Sequence, residues 1–193
     1  MNRWQPNTVE RLQEAALFLF HERGYSDVTI ADITERAGLT KRTFFNHFPD
    51  KREVLFAGAS AMEDDVARYV AETGTDQSPI DVAMAALSRA GDDLARWADY
   101  ARTRRDVIAS SPELYERSLI KMASLANTIS TALRARGTDA RTAKLVADSA
   151  VTVFTTAYDY WVEARTVHLE SLMQQILTEL GETIRSGATS NRR

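Results

Sequence analysis

Two pairs of cations stand where cations are electrostatically least welcome: Lys41-Arg42 and Lys51-Arg52. Each pair falls at the first positions of a helix that the local sequence predicts. Thr40 caps the first helix, Pro49 stops it, and Asp50 caps the next, with Glu53 at its third position. A helix N-terminus carries partial positive charge, so a lysine or arginine there loses about 0.3–1 kcal/mol where a carboxylate would gain it. The repeated unfavourable choice makes sense if a phosphate backbone lies over both ends. Helix N-termini, hydroxyls and Lys/Arg side chains together make a phosphate-contacting set. The alternative is a solvated basic corner.

The stretch that must position these cations runs from Val28 to Lys51, VTIADITERAGLTKRTFFNHFPDK. Thr29 precedes the apolar-periodic Ile30, Ile33 and Ala37 and pairs with Asp32 as a capping box. Gly38 supplies the left-handed residue that closes a helix, and only Leu39 separates it from Thr40. Two short helices joined by so tight a glycine-containing turn form a helix-turn-helix. Phe44 and Phe48 are four apart and share an inward face, so Phe45 points toward the side of Lys41, Arg42 and Asn46.

Composition limits how such a surface could work. The chain has 193 residues and a formal net charge of −3, which argues against a binder acting through bulk positive charge. Residues 1–55 hold eight Lys/Arg and eight Asp/Glu, whereas 40–52 hold four basic residues and one acidic. Any nucleic-acid surface is therefore small and local. The absence of cysteine excludes disulfides, thiolate-bound zinc and thiol catalysis. No apolar run approaches the roughly 18 residues of a membrane span, and MNRWQPNTVERL lacks the apolar centre of a signal peptide, so the expected location is the cytoplasm. His21, His47 and His168 are scattered without paired ligand spacing, so neither a metal nor a cofactor is expected.

Around the motif the pattern is helical. Asn7 and Glu10 form a capping box for a first helix, Thr8 to Arg23, that Gly24 ends. A single helix is expected from Lys51 to about Glu72, followed by a loop at 73–78. Ser78-Pro79 and Ser111-Pro112 each read as cap plus first helical residue. The second opens a helix to about Arg136, with Leu114, Leu119, Met122, Leu125, Ile129 and Leu133 inward. Gly91, inside the helix from Pro79, marks a bend or a close helix crossing.

The helix from Ala140 to Thr166 is apolar most of the way round, Val151 and Val153 widening its face. The last helix, His168 to about Ile184, carries Leu172, Ile176 and Leu180 on a long strip with no later helix to cover it. Surplus apolar surface on both suggests a homodimer through a four-helix contact involving Val151, Leu172, Ile176 and Leu180; the alternative is plain monomer core. Trp97, Tyr100, Met122, Phe154, Tyr158, Tyr160 and Trp161 suit a lipophilic pocket between helices, and equally suit ordinary core. Residues 187–193 read as a disordered polar tail. The resulting fold class is all-α with about nine helices and no strand.

The segment TIADITERAGLTKRTFFNHFPDKREVL, near the start of a helical chain of this length, resembles the DNA-binding signature of the TetR/AcrR regulators. The resemblance implies a helix-turn-helix domain over residues 1–50, with the start of the fourth helix to about 55, and a helical ligand-binding and dimerisation domain over 51–186. It implies that Thr40, Lys41, Arg42, Thr43, Asn46 and His47 lie on the recognition helix or its cap. Thr29 and Lys51 would hold phosphates from flanking helix ends. Lys41 and Arg42 would suit guanine, and Asn46 adenine. Phe45 stands where the family usually has tyrosine, which keeps sugar-phosphate packing and loses a hydroxyl bond worth about 0.5–1.5 kcal/mol. The implied partners are a double-stranded operator, a second copy of the chain and a small-molecule effector that releases the DNA. No phosphate loop, serine elbow or paired acid and base nominates an enzyme. A helical adaptor whose basic motif is only a packing corner is the other rival.

Overall fold

The computed structural model describes residues 7–74, 76–95, 98–164 and 168–190, with the backbone alone for 92–95, 98 and 187–190. Among them are nine α-helices and one 3-10 turn, and no strand. The helices are α1 (Thr8–Arg23), α2 (Ile30–Arg36), α3 (Lys41–His47), α4 (Ala59–Glu72), α5 (Pro79–Ala95), α6 (Ala98–Ser110), α7 (Pro112–Ala135), α8 (Ala140–Glu163) and α9 (Leu169–Ser190). The 3-10 turn is Arg52–Phe56.

The chain divides into two compact units. One takes in the described residues up to Ser60 together with Tyr100–Lys121; the other takes in Ala61–Asp99 and the described residues from Met122 onward. The sequence places a boundary near 50–55 and assigns everything beyond it to one domain. In the structure α6 and the first turns of α7 belong with the helix-turn-helix instead. Val107, Ile108 and Leu114 are buried in the same apolar cluster as Leu12, Phe20, Ile33, Phe44 and Val54.

Within this first unit the caps form as the sequence predicts. Asn7 accepts from the Glu10 backbone and Glu10 reaches back to the Asn7 N–H, both at 3.0 Å. At the end of α2, Gly38 has φ +63°. There the Leu39 N–H donates to the Thr34 carbonyl at 2.8 Å and the Gly38 N–H to Glu35 at 3.0 Å. This six-to-one, five-to-two pair satisfies carbonyls that a helix end otherwise leaves open. Arg11 of α1 adds a bond of 2.5 Å to the Ala37 carbonyl, so the turn is held from outside as well.

The single helix expected over 51–72 is two elements. The 3-10 turn buries Val54, Leu55 and Phe56 in succession, which an α-helix with one inward face cannot do. Gly58 then adopts φ +86° before α4 begins.

The second unit is built on α5, α8 and α9, which pack against one another. Gly91 does mark a close crossing: a Cβ added there would lie 2.7 Å from Leu169 Cδ2. Arg136, at the end of α7, donates to the carbonyls of Val70, Thr73 and Gly74, closing the C-terminal end of α4. Three expectations change here or beside it. Leu119 is 53% exposed, because Leu114, Leu125, Ile129 and Leu133 define an inward face that it lies outside. Val151 is buried within its own unit at 7% exposure, so it offers little surface to a second copy. The tail expected to be disordered from 187 continues α9 through Ser190, and residues 191–193 lie outside the described set.

Candidate nucleic-acid interface

Phe44 and Phe48 anchor α3. They are 0% and 5% exposed, with ring centroids 5.3 Å apart. Their burial, about 1.5–3 kcal/mol for each ring, fixes the rotation of this short helix about its axis. Everything on the opposite side is consequently turned outward. Thr40 is the N-cap, accepting from the Thr43 N–H at 3.1 Å, and the two hydroxyls share a hydrogen bond of 2.8 Å. Lys41, Arg42, Asn46 and His47 are exposed. Phe45 is 55% exposed and meets Phe44 edge-on, centroids 5.7 Å apart at 83°.

The side chains of Lys41 and Arg42 have no ion pair or hydrogen bond among the described residues. α3 has no acidic residue in its first turn. Two unneutralised guanidinium and ammonium groups therefore stand beside open backbone N–H groups, an arrangement suited to polyanions.

The second pair of cations is placed differently. The Lys51 ammonium donates to the Tyr25 and Val28 carbonyls at 2.7 and 2.8 Å and sits 4.0 Å from the Tyr25 ring centroid. It is half-buried, and burial pushes its pKa down, with Glu113 and Asp27 opposing. Its hydrogens thus hold the loop that leads into α2. Arg52 turns back on Asp50, 2.9 Å away. Asp50 also accepts from the Arg52 and Glu53 backbone N–H groups at 2.8 and 3.3 Å. The N-cap position expected for it is, however, taken by Lys51, so that only Arg52 of the pair lies within the 3-10 turn. The Asp50 carboxyl is held below the usual range, first by the Arg52 side chain.

Thr29 caps α2. Its hydroxyl donates to Asp32 at 2.5 Å and accepts from the Asp32 N–H at 3.2 Å. The hydroxyl's bond, and a second from the Thr29 N–H at 2.7 Å, hold the Asp32 carboxyl below its ordinary pKa. Thr29 remains exposed at the outer end of α2.

Glu53 is the residue that sequence reasoning missed. Its carboxylate, 13% exposed, is held by Arg117 and by Lys121, the latter at 3.2 Å. Burial pushes this carboxyl up, but the hydrogen bonds from Arg117 and Lys121 outweigh it and leave the pKa lowered. Arg104 of α6 donates to the Leu55 carbonyl at 2.7 Å and lies over Phe56. Tyr25 is pushed up to about 12, by burial first and Glu113 second. No local pattern flags these partners, which lie 49 to 64 residues away from their targets in the two hydrogen-bonded pairs.

The residues proposed for a ligand are divided between the two units. Trp97 lies outside the described residues. Tyr100 packs beside the core of the first unit, whereas Met122 belongs to the second. Phe154, Tyr158 and Trp161 form a row in the second unit, with centroids 6.4 and 5.9 Å apart, and Phe154 and Trp161 are buried. A cavity of about 560 Å³ in this unit is lined by residues of α4 and α5, including Asp65, Arg68, Tyr69, Glu72 and Arg89. Leu172, Ile176 and Leu180 are half-buried. Leu180 lines a shallow groove of about 250 Å³ with Ile80, Leu145, Leu177 and Ile184.

Residues 12–57 match the model of bacterial regulatory proteins of the tetR family, and residues 77–185 match that of the MftR C-terminal domain. The chain belongs to the TetR family of transcriptional regulators. The transposon Tn10 TetC protein of Escherichia coli is 39% identical over 51 residues, 26% of this chain and 26% of that one. This match therefore spans only about a quarter of the curated relative. Among solved structures, the fold is similar to NalD of Pseudomonas aeruginosa, described as the secondary repressor of the MexAB-OprM efflux pump. The TM-score is 0.61 at 14% identity, covering 91% of this chain and 95% of that one. It is also similar to FadR of Bacillus subtilis, solved with stearoyl-CoA, with a TM-score of 0.58 at 18% identity and 87% and 95% coverage. At these identities the likeness is one of fold. No helix among the described residues is long and apolar enough to cross a membrane.

Proposed function

We propose that this regulator is a homodimeric repressor that reads a near-palindromic DNA operator through α3 and is released by a small molecule bound in its helical domain. The observation that carries the reading is the pair Lys41 and Arg42, exposed and uncompensated at the start of a helix whose rotation is fixed by Phe44 and Phe48. Arg42 and Lys41 suit guanine O6 and N7, and Asn46 suits adenine. Thr40, Thr43 and His47 flank them, Thr29 faces phosphate from the start of α2, and Phe45 packs on the sugar-phosphate backbone.

Dimerisation supplies the second reading helix, placed roughly 34–36 Å or more from the first along the duplex. The half-buried Leu172, Ile176 and Leu180, with the exposed Leu145 and Ile184, support a contact through α8 and α9. The effector acts by preferring a state of the dimer that does not fit the operator. Small molecules bound to a neighbour of the same fold, stearoyl-CoA in FadR, support a binding role for the helical domain. Cytoplasmic location follows from a DNA partner.

A gel shift on DNA flanking the chain's own gene tests this, repeated with small molecules of graded lipophilicity. The expected result is a complex of two chains per duplex that one class of molecule dissolves. Absence of any retarded complex at low salt would contradict the reading.

A further inference from the structure

One side chain of α3 has its polar atom committed within its own helix and its apolar branch left over. Thr43 is the third residue of α3 and is half-buried. Its backbone N–H donates to Thr40 Oγ1 at 3.1 Å, and its own hydroxyl lies 2.8 Å from that same oxygen. Whichever hydroxyl donates, Thr43 Oγ1 is turned back toward the start of the helix. A β-branched side chain has few staggered settings, so fixing the oxygen also fixes the methyl. Swinging the hydroxyl out to a base would exchange one hydrogen bond for another and gain little. What Thr43 has left to offer a partner is its methyl group, Cγ2.

The rotation of α3 decides where that methyl stands. Phe44 and Phe48 are buried, and each residue turns the helix by about 100°. Thr43 therefore lies to one side of the buried face, beside Asn46 and His47, its helical neighbours three and four residues on. Arg42 and Asn46 lie opposite the buried rings. Base edges in the major groove present hydrogen-bonding groups and one apolar group, the C5 methyl of thymine, against which a threonine methyl packs. Arg42 and Asn46 suit the hydrogen-bonding groups. Thr43, with its hydroxyl committed, suits the methyl.

We infer that Thr43 is a specificity-determining residue that selects thymine in the operator through methyl-to-methyl contact rather than through its hydroxyl. This rests on the reading of α3 as the DNA-contacting helix, and it adds a base that the polar side chains do not specify. Cβ atoms three residues apart on a helix lie about 5–6 Å from one another, and successive base pairs rise by about 3.4 Å. The thymine thus falls within about two base pairs of the adenine that Asn46 reads.

The test uses the full chain and a duplex selected from a random pool. Each thymine of a half-site is replaced in turn by deoxyuridine, which lacks only the C5 methyl, and Kd is read by fluorescence anisotropy. One replacement is expected to weaken binding by the parent chain about three- to fivefold, the size of one buried methyl. In Thr43→Ser, which keeps the hydroxyl and loses the methyl, the same replacement is expected to change Kd by less than about 1.5-fold. Thr43→Val keeps the methyl branch and loses the hydroxyl, and is expected to retain the parent's ratio between the two duplexes whatever its overall affinity. A scan that is flat in the parent chain would overturn the inference, as would a methyl effect that survives in Thr43→Ser. Loss of the effect in Thr43→Val would also overturn it, by assigning recognition to the hydroxyl. These results leave the reading of α3 standing, whereas failure to select any duplex defeats that reading and this inference with it.

Discussion

Lys41-Arg42 and Lys51-Arg52 are the same two-residue pattern ten positions apart, yet they do opposite work. The first pair projects from a short helix that has only its opposite face in the core, and nothing among the described residues neutralises it. The second pair is spent inside the unit: Lys51 on two backbone carbonyls and the Tyr25 ring, Arg52 on Asp50. The difference lies in what surrounds each helix start. α3 has no carboxylate in its first turn, whereas the 3-10 turn is preceded by Asp50 and includes Glu53. Cations at a helix N-terminus therefore indicate a polyanion only where local carboxylates and carbonyls have not already claimed them.

The strongest way to break this comparison is to remove the free pair. Lys41→Ala with Arg42→Ala is expected to weaken operator binding by about 100-fold or more, two charge-assisted contacts at about 1.5–3 kcal/mol each, while the melting temperature stays within about 1 °C because surface changes away from packing are nearly neutral. Next comes the spent pair. Lys51→Met leaves the Tyr25 and Val28 carbonyls without their donor and is expected to cost about 1–3 kcal/mol of stability, read by urea unfolding. A large loss of affinity with unchanged stability would place Lys51 on DNA after all.

Smaller in size is Phe45→Tyr. Restoring a hydroxyl on an exposed ring is expected to tighten binding by roughly two- to tenfold, measured by anisotropy; weaker binding would mean that Phe45 packs face-on with no phosphate in reach. The smallest effect concerns acid. Glu53 has a folded pKa below its ordinary 4.5, so its contribution is present above that value and is lost as pH falls through the folded one. Stability should fall more steeply below about pH 4.5 in the parent chain than in Glu53→Gln, as thermal melts across pH 3–6 in about half-unit steps would show.

The parts of the molecule legible in sequence are those whose cause is local. Asn7 with Glu10, Thr29 with Asp32, Gly38 and the Phe44–Phe48 spacing all act within five residues, and each does in the structure what its type and position predict. What stayed hidden depends on distant partners. Lys51 looked like Lys41 because its carbonyl acceptors lie 23 and 26 residues earlier. Glu53 looked like a routine capping residue because Arg117 is 64 residues later. The continuous helix expected across 51–72 failed at Gly58, whose neighbours are apolar enough to hide the break. Val151 was legible as apolar, but whether its own unit or a second copy covers it depends on how α5, α8 and α9 pack, which periodicity does not specify.

The division of labour between the two cation pairs is tested most directly by the salt dependence of operator affinity in Lys41→Ala and Lys51→Ala, side by side. Each cation that displaces counterions from the duplex, whether it faces a phosphate or lies in the groove between phosphates, contributes a slope of up to about 0.9 in the plot of log affinity against log salt. The account predicts a slope shallower by about that amount for Lys41→Ala and an unchanged slope for Lys51→Ala. A shallower slope for Lys51→Ala, with Lys41→Ala unchanged, would contradict it.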